Sequence, residues 1–199
     1  MISPDHLRVL ALASALICLG PSLGSRDRVQ AGTAETAGRK IVQRDGQHDF
    51  DFEFGSWKVR LKRLARPLTG SSDWIEMEGT SIVRKVWDGR ANLGELDVRN
   101  TTSRIEGLSL RLYNPGSRQW SIYWANARDG GLGTAMIGHF ANGRGEFFNQ
   151  ELFEGRAIFV RFIFSDITAA TFRLEQAFSP DGGKTWEPNW IAEFTRLKS

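Results

Sequence analysis

From Ser56 onward, apolar and polar residues alternate in short runs broken by Gly, Asn, Asp and Pro. No 3.6-residue periodicity lasts more than two turns. Trp57, Val59 and Leu61 interleave with Lys58, Arg60 and Lys62, the mark of a strand with one buried and one wet face. The pattern predicts nine further strands, over Asp73–Trp87, Ala91–Val98, Ile105–Tyr113, Arg118–Asn126, Leu132–Phe140, Gly145–Phe153, Arg156–Phe164, Thr171–Phe178 and Trp186–Leu197. Turn residues fall between them at Asp88-Gly89, Asn114-Pro115-Gly116, Asp129-Gly130-Gly131, Asn142-Gly143, Glu154-Gly155 and Asp181-Gly182-Gly183. Successive hairpins make an up-and-down meander, and closure removes its exposed edges. The expected fold is all-β, a single antiparallel barrel of about ten strands, with an open two-sheet sandwich as the rival. No fixed-period repeat points to a propeller.

The N-terminus reads differently. His6 and Arg8 precede an apolar run from Val9 to Leu19 that ends near Gly20-Pro21-Ser22-Leu23-Gly24, the arrangement of a secretory signal, too short to span a bilayer comfortably. Residues 25–44 carry almost no large apolar side chain and read as a tether, so the fold is expected over 45–199. The expected location is periplasmic or secreted, with no membrane insertion once the signal is removed.

This division changes the charge picture. The chain has 26 basic and 23 acidic residues, but six basic and three acidic ones precede Asp45, which leaves 20 of each in the expected domain. A neutral domain loses the electrostatic case for binding nucleic acid or an anionic membrane. Cys18 lies in the signal, so the mature chain is expected to have neither a disulfide nor a thiol nucleophile.

His48-Asp49-Phe50-Asp51-Phe52-Glu53-Phe54-Gly55-Ser56-Trp57 sets three aromatics just before a Gly-x-Trp triplet at the first strand. Here the chain resembles the calycin superfamily of lipocalins and fatty-acid-binding proteins, and also a group of bacterial exported proteins with the same aromatic-rich opening. The resemblance implies that Gly55 and Trp57 open the barrel beside a short helical turn, with Arg196 of the last strand packed over Trp57. The second and third lipocalin regions are absent. Lys58-Val59-Arg60 lacks the Gly-x-Gly of nitrobindin-like haem barrels, so no cofactor is expected.

Ser179-Pro180-Asp181-Gly182-Gly183-Lys184-Thr185-Trp186 matches the Asp-box of sialidases, which is a hairpin signature. Asp181, Gly183 and Trp186 are therefore assigned structural roles. Glu76 with Glu78, and Glu95 with Asp97, alternate with apolar residues and read as solvent-facing. No nucleophile elbow or phosphate loop is present, and the two histidines of the expected mature chain, His48 and His139, make no multi-histidine metal site. No catalytic residue is assigned; an enzyme would have to use inward carboxylates among Glu76, Glu95 and Glu175.

Lone polar residues on apolar strand faces carry the functional expectation, because burying one without a partner costs a few kcal/mol. Gln176 stands in phase with Phe172, Leu174 and Phe178; Arg161 with Phe159 and Ile163; Gln150 with Phe148 and Leu152; Asn126 with Trp120, Ile122 and Trp124. With Trp124 and Trp190 as apolar wall, these four describe a pocket for a small hydrophobic or amphipathic molecule, whose acid group, or else Glu175, would meet Arg161. The alternative is a side-chain-filled barrel whose outer aromatic face docks a partner or a second copy as a homodimer.

Overall fold

The computed structural model describes residues 45–198; the signal and tether expected over 1–24 and 25–44 lie outside the described residues. A 3-10 turn at Asp51–Glu53 leads into ten strands: β1 (Gly55–Leu64), β2 (Trp74–Val86), β3 (Ala91–Arg99), β4 (Arg104–Asn114), β5 (Gln119–Asn126), β6 (Met136–Ala141), β7 (Arg144–Phe153), β8 (Arg156–Ser165), β9 (Thr171–Ser179) and β10 (Glu187–Arg196). Each strand pairs with its neighbour in sequence and β10 returns to β1, which closes the barrel and excludes the sandwich. The shortest hairpins use the expected residues: Asn142 and Gly143 take φ of 51° and 75°, Glu154 and Gly155 49° and 77°, the left-handed values a type I′ turn needs.

Four strands begin later than the residue pattern predicts, β2, β5 and β10 by one residue and β6 by four. β6 starts at Met136, because the Asp129–Gly133 stretch folds back on β5 through a Leu132–Ala125 bridge and a Gly133 N–H bond of 2.8 Å to the Trp124 carbonyl. β5 and β6 consequently pair over only three residue pairs. Trp186 stays out of β10, since its Nε1 donates to the Gly183 carbonyl at 3.1 Å inside the preceding loop.

One end of the barrel is plugged by its own N-terminal segment. Phe50, fully buried, lies with its ring centroid 4.9 Å from Phe140, 5.0 Å from Trp120 and 5.2 Å from Phe164, each edge to face. Trp120 Nε1 donates to the Gly46 carbonyl at 2.9 Å and Trp57 Nε1 to the Glu53 carbonyl at 2.7 Å, so both indoles satisfy buried backbone oxygens of the plug. Arg196 fastens it from the last strand. Its guanidinium lies 4.1 Å from the Trp57 ring centroid and donates to the carbonyls of Phe52 at 2.6 Å, Phe54 at 2.7 Å and Ala169 at 2.7 Å. Gly55, at φ 115°, suits this crossing, because a Cβ there would stand 3.0 Å from Arg196 Nη1.

Hydrogen bonds to a charged donor and a cation–π contact together predict a cost of about 3 kcal/mol for Arg196→Ala. Arg196→Lys, with one compact donor head, should recover only a minor part. Urea unfolding of the three proteins measures this, and equal midpoints would show that the plug does not depend on the latch.

Candidate functional site

Strand register decides which side chains enter the lumen. Trp57, Val59 and Leu61 of β1 face Ser81, Gly79 and Met77 of β2, and the same face continues through Gly94, Ser109 and Ile122 to Met136. The opposite wall is built of larger groups: Phe162 and Phe164 on β8, Phe172 and Leu174 on β9, Ala192 and Phe194 on β10. Small residues on β2–β4 opposite a mainly aromatic wall leave a cavity of about 380 Å³ above the plug, in the size range of small-molecule sites. Trp124 forms part of its wall by lying flat across Gly107, where a Cβ would come within 1.9 Å of the indole.

The floor of this cavity is charged. Glu53, from the 3-10 turn, is 1% exposed, and its Oε2 lies 2.7 Å from Nη1 of Arg111 on β4, itself 7% exposed. Arg111 Nη1 also donates to Asn92 Oδ1 of β3 at 2.9 Å, and the guanidinium stands 4.9 Å from the Phe50 ring centroid. Both Glu53 carboxylate oxygens, Arg111 Nε and Asn92 Nδ2 are buried without a hydrogen-bond partner, so Glu53 and Arg111 meet as an ion pair. Burial pushes the Glu53 carboxyl up to about 7, against the opposing pull of Arg111, and burial likewise draws Arg111 below its ordinary value. Ser81 and Ser109 bring two hydroxyls to the same cavity.

The six expected pocket residues divide. Trp124, Gln176 and Trp190 line the cavity, each farther along its strand from the plug than the aromatic floor, and Gln176 Nε2 donates to Asn189 Oδ1 at 2.7 Å. Asn126 shares the inward phase but stands at the end of β5, where its side-chain oxygen accepts the Arg128 N–H at 2.9 Å and shapes the loop. Gln150 and Arg161 are on the outer face. β7 turns Phe147, Asn149 and Glu151 inward, so Phe148, Gln150 and Leu152 point out, with Phe148 41% and Leu152 77% exposed. β8 turns Ile158, Val160 and Phe162 inward, so Arg161 emerges beside Phe159 and stacks 4.5 Å from the Trp186 ring centroid. Glu175 does not meet it, since its carboxylate pairs with Arg173 at 2.7 Å.

Arg111, whose guanidinium lines the cavity, escapes a reading of the residues because Leu108, Leu110 and Leu112 occupy the alternate positions and mimic a core face. The structure turns those leucines outward and Ser109, Arg111 and Tyr113 inward. Tyr113 and Gly107 in phase with Arg111 are the signal within the sequence, matching the aromatic-and-small inward pattern of the neighbouring strands. The carboxylates of Glu78, Glu95 and Asp97 pair outside with Lys58, Arg84 and Arg104. Glu95 nevertheless borders the cavity at its strand.

In the Asp-box loop, Asp181 accepts from the N–H groups of Lys184 at 3.1 Å and Thr185 at 2.9 Å and from the hydroxyls of Ser179 and Thr185. These bonds hold its carboxyl down at about 2. Among the described residues, no three His, Cys, Asp or Glu side chains are gathered to hold a metal ion.

No protein-family model matches the chain, and no curated protein matches it in sequence. Solved structures do resemble it. The S-type phycobiliprotein lyase CPES from Guillardia theta aligns at a TM-score of 0.53 and 12% identity over 79% of this chain and 95% of the lyase. A redesigned beta barrel aligns at 0.42 and 9% identity over 77% of this chain and 96% of that one. EF1p2_mFAP2b bound to DFHBI aligns at 0.43 and 8% identity over 76% and 99%. The likeness to the lyase, at this identity, is one of fold alone.

Because Glu53 has a folded-state value near 7 against 4.5 for an ordinary glutamate, the folded protein binds a proton more tightly than the unfolded chain. Its contribution to stability is fully present below the unfolded value and is lost as pH rises through about 7. Lowering the pH from 8 to 5 should therefore raise the unfolding free energy by about 2 kcal/mol. The lowered aspartates Asp73, Asp97 and Asp181 titrate below this window. Urea midpoints at pH 5, 6, 7 and 8 check this, with Glu53→Gln expected to flatten the profile.

Proposed function

We propose that this chain is a binding protein that holds one small, largely apolar molecule inside its barrel. The observation that carries the reading is the cavity itself: about 380 Å³ of space walled by aromatics over a floor where a buried carboxylate and guanidinium are paired. A purely structural barrel fills such a space with side chains, because an internal void forfeits dispersion contacts. A few polar groups in a mainly apolar chamber are what orients a ligand. The cavity favours this reading over a side-chain-filled interaction module.

Two physical features support exchange of a ligand with solvent. The seam between β5 and β6 has three residue pairs, and the loop that covers it brings Gly133 and Thr134 to the cavity. Asn149 Nδ2 holds that loop through the Thr134 carbonyl at 3.2 Å. Few hydrogen bonds over a short seam mean a low cost of local opening.

The apolar run from Val9 to Leu19 behind His6 and Arg8 supports export of the chain to the periplasm or beyond. Cell fractionation of the tagged full chain checks this; a tagged protein retained at full length in the cytoplasm removes it.

Native mass spectrometry of freshly purified protein should reveal a co-purifying small molecule. After extraction of that molecule, the neutral dye N-phenyl-1-naphthylamine should bind saturably with enhanced emission and quench the lumen tryptophans. Leu174→Trp, which adds volume at the cavity wall, should abolish dye binding while leaving the circular dichroism spectrum of the barrel. The absence of both a co-purifying species and saturable dye binding in the unsubstituted protein would remove the reading.

A further inference from the structure

The polar floor narrows the class of ligand, on the premise that the cavity binds one at all. Arg111 is the group to follow. Its Nη1 donates to Asn92 Oδ1 at 2.9 Å and stands in ion-pair contact with Glu53 Oε2 at 2.7 Å. Its Nε is sealed without an acceptor. Nη2 has no acceptor among the described residues, and Arg111 lines the cavity, so Nη2 is the donor left for whatever enters. The hydroxyls of Ser81 and Ser109 stand on the same lining; Ser109 donates to the Gly94 carbonyl at 3.4 Å and keeps its oxygen as an acceptor, while Ser81 can add a donor or an acceptor.

At a pH above about 7, where Glu53 is ionised, the charge of Arg111 is already spent within the protein. Glu53 sits against it, 1% exposed, in surroundings of Phe50 and Phe164, so the couple presents to the lumen a strong donor with little net field. A ligand carboxylate placed at Nη2 is attracted by the guanidinium and repelled by the Glu53 carboxylate a few atoms behind it. The two effects largely cancel, and the cost of stripping water from the carboxylate is then left without compensation. A neutral acceptor suffers no such loss. Its carbonyl oxygen gives up far less hydration than a carboxylate and gains a charge-assisted hydrogen bond in a low-dielectric chamber.

We infer that the cavity selects a neutral molecule with a flat apolar body and a carbonyl-type acceptor at one end, the oxygen accepting from Arg111 Nη2 beside Ser81 and Ser109, and that Glu53 is the residue that excludes carboxylic acids. Glu53 is thus a specificity-determining residue that works through Arg111. The wall agrees with a flat body, since Trp124, Phe162, Phe172 and Trp190 present ring surfaces to the same space.

Three naphthalenes of one body size test the inference: 2-acetylnaphthalene, 2-ethylnaphthalene and 2-naphthoate. Each is titrated into the full chain at pH 8, with dissociation constants read by calorimetry and by tryptophan quenching. The ketone should bind about tenfold or more tighter than both the ethyl compound, which lacks the acceptor, and the acid. In Glu53→Gln, which keeps the shape but removes the counter-charge, 2-naphthoate should become the tightest of the three. In Arg111→Met, the ketone should lose its advantage over the ethyl compound.

Equal binding of all three to the unsubstituted protein overturns the selection while leaving the cavity as a binding site. Tightest binding of 2-naphthoate to that protein overturns it as well. Binding of none overturns the cavity reading and this inference with it. Because the first comparison needs no substitution, the inference stays testable even where a variant fails to fold.

Discussion

Glu53 is held at both ends, and much of the molecule follows from that. Its backbone carbonyl accepts the Trp57 indole from β1, while its carboxylate reaches Arg111 on β4. A single residue of a three-residue turn therefore ties the plug to two separated strands of the ring. Buried ion pairs contribute little net stability, because desolvation consumes the Coulombic gain. Geometry is what this one supplies. The carboxylate can reach Arg111 only when the turn lies across the barrel end, the position that also drives Phe50 among Trp120, Phe140 and Phe164. Arg196 secures the same placement from the last strand by taking the carbonyls of Phe52 and Phe54. Aromatic burial provides the driving force, and the two arginines fix where the plug sits.

The cavity is a consequence of unequal walls. On β2, β3 and β4 the inward positions near mid-barrel are Ser81, Gly94 and Ser109, whereas β8, β9 and β10 place Phe162, Phe172 and Phe194 across from them. The stacked pair Phe172 and Phe194, 4.1 Å apart at 7°, is braced against Trp57, so that wall does not collapse into the space the small residues leave. The polar floor and the small-residue wall meet on the same strands. Arg111 needs room around its guanidinium, and Gly94 and Ser109 provide it: a Cβ on Gly94 would come within 2.6 Å of Ser109 Oγ and 3.4 Å of Arg111 Nη1.

How far the residues announce this depends on the strand. β1 and β10 declare their faces, because Trp57, Val59, Leu61 and Trp190, Ala192, Phe194 are large or apolar in one phase and Lys58, Arg60 and Glu193 are charged in the other. β7 and β8 do not, since Phe147 and Phe148 stand in opposite phases, as do Phe162 and Ile163. There the choice belongs to partners distant in sequence: Phe147 lies between Gly138 and Phe162, a gap only one phase can fill. A one-residue difference in phase moves every side chain of a strand to the other face, which is why Gln150 and Arg161 stand outside the barrel although each shares its face with apolar neighbours. β4 is harder still, because its leucines form the outer face and its polar residues the inner one. Strand count and hairpin turns are local properties and are readable, and closure follows from an unbroken run of hairpins; lumen chemistry is a property of register across the ring.

The self-neutralised couple also bears on what an empty barrel can be. A guanidinium without a counter-charge in this chamber would draw an anionic ligand to complete it. Above about pH 7, with Glu53 ionised and supplying the counter-charge from within the chain, the floor is balanced whether or not the space above is filled. The raised carboxyl of Glu53 adds a further degree of freedom, because taking up a proton near neutrality leaves Arg111 with its charge and alters the field at the floor without moving an atom of the wall. On the proposed binding role, the electrostatic balance of the unliganded barrel and the choice of ligand rest on the same two residues, one from the plug and one from the ring.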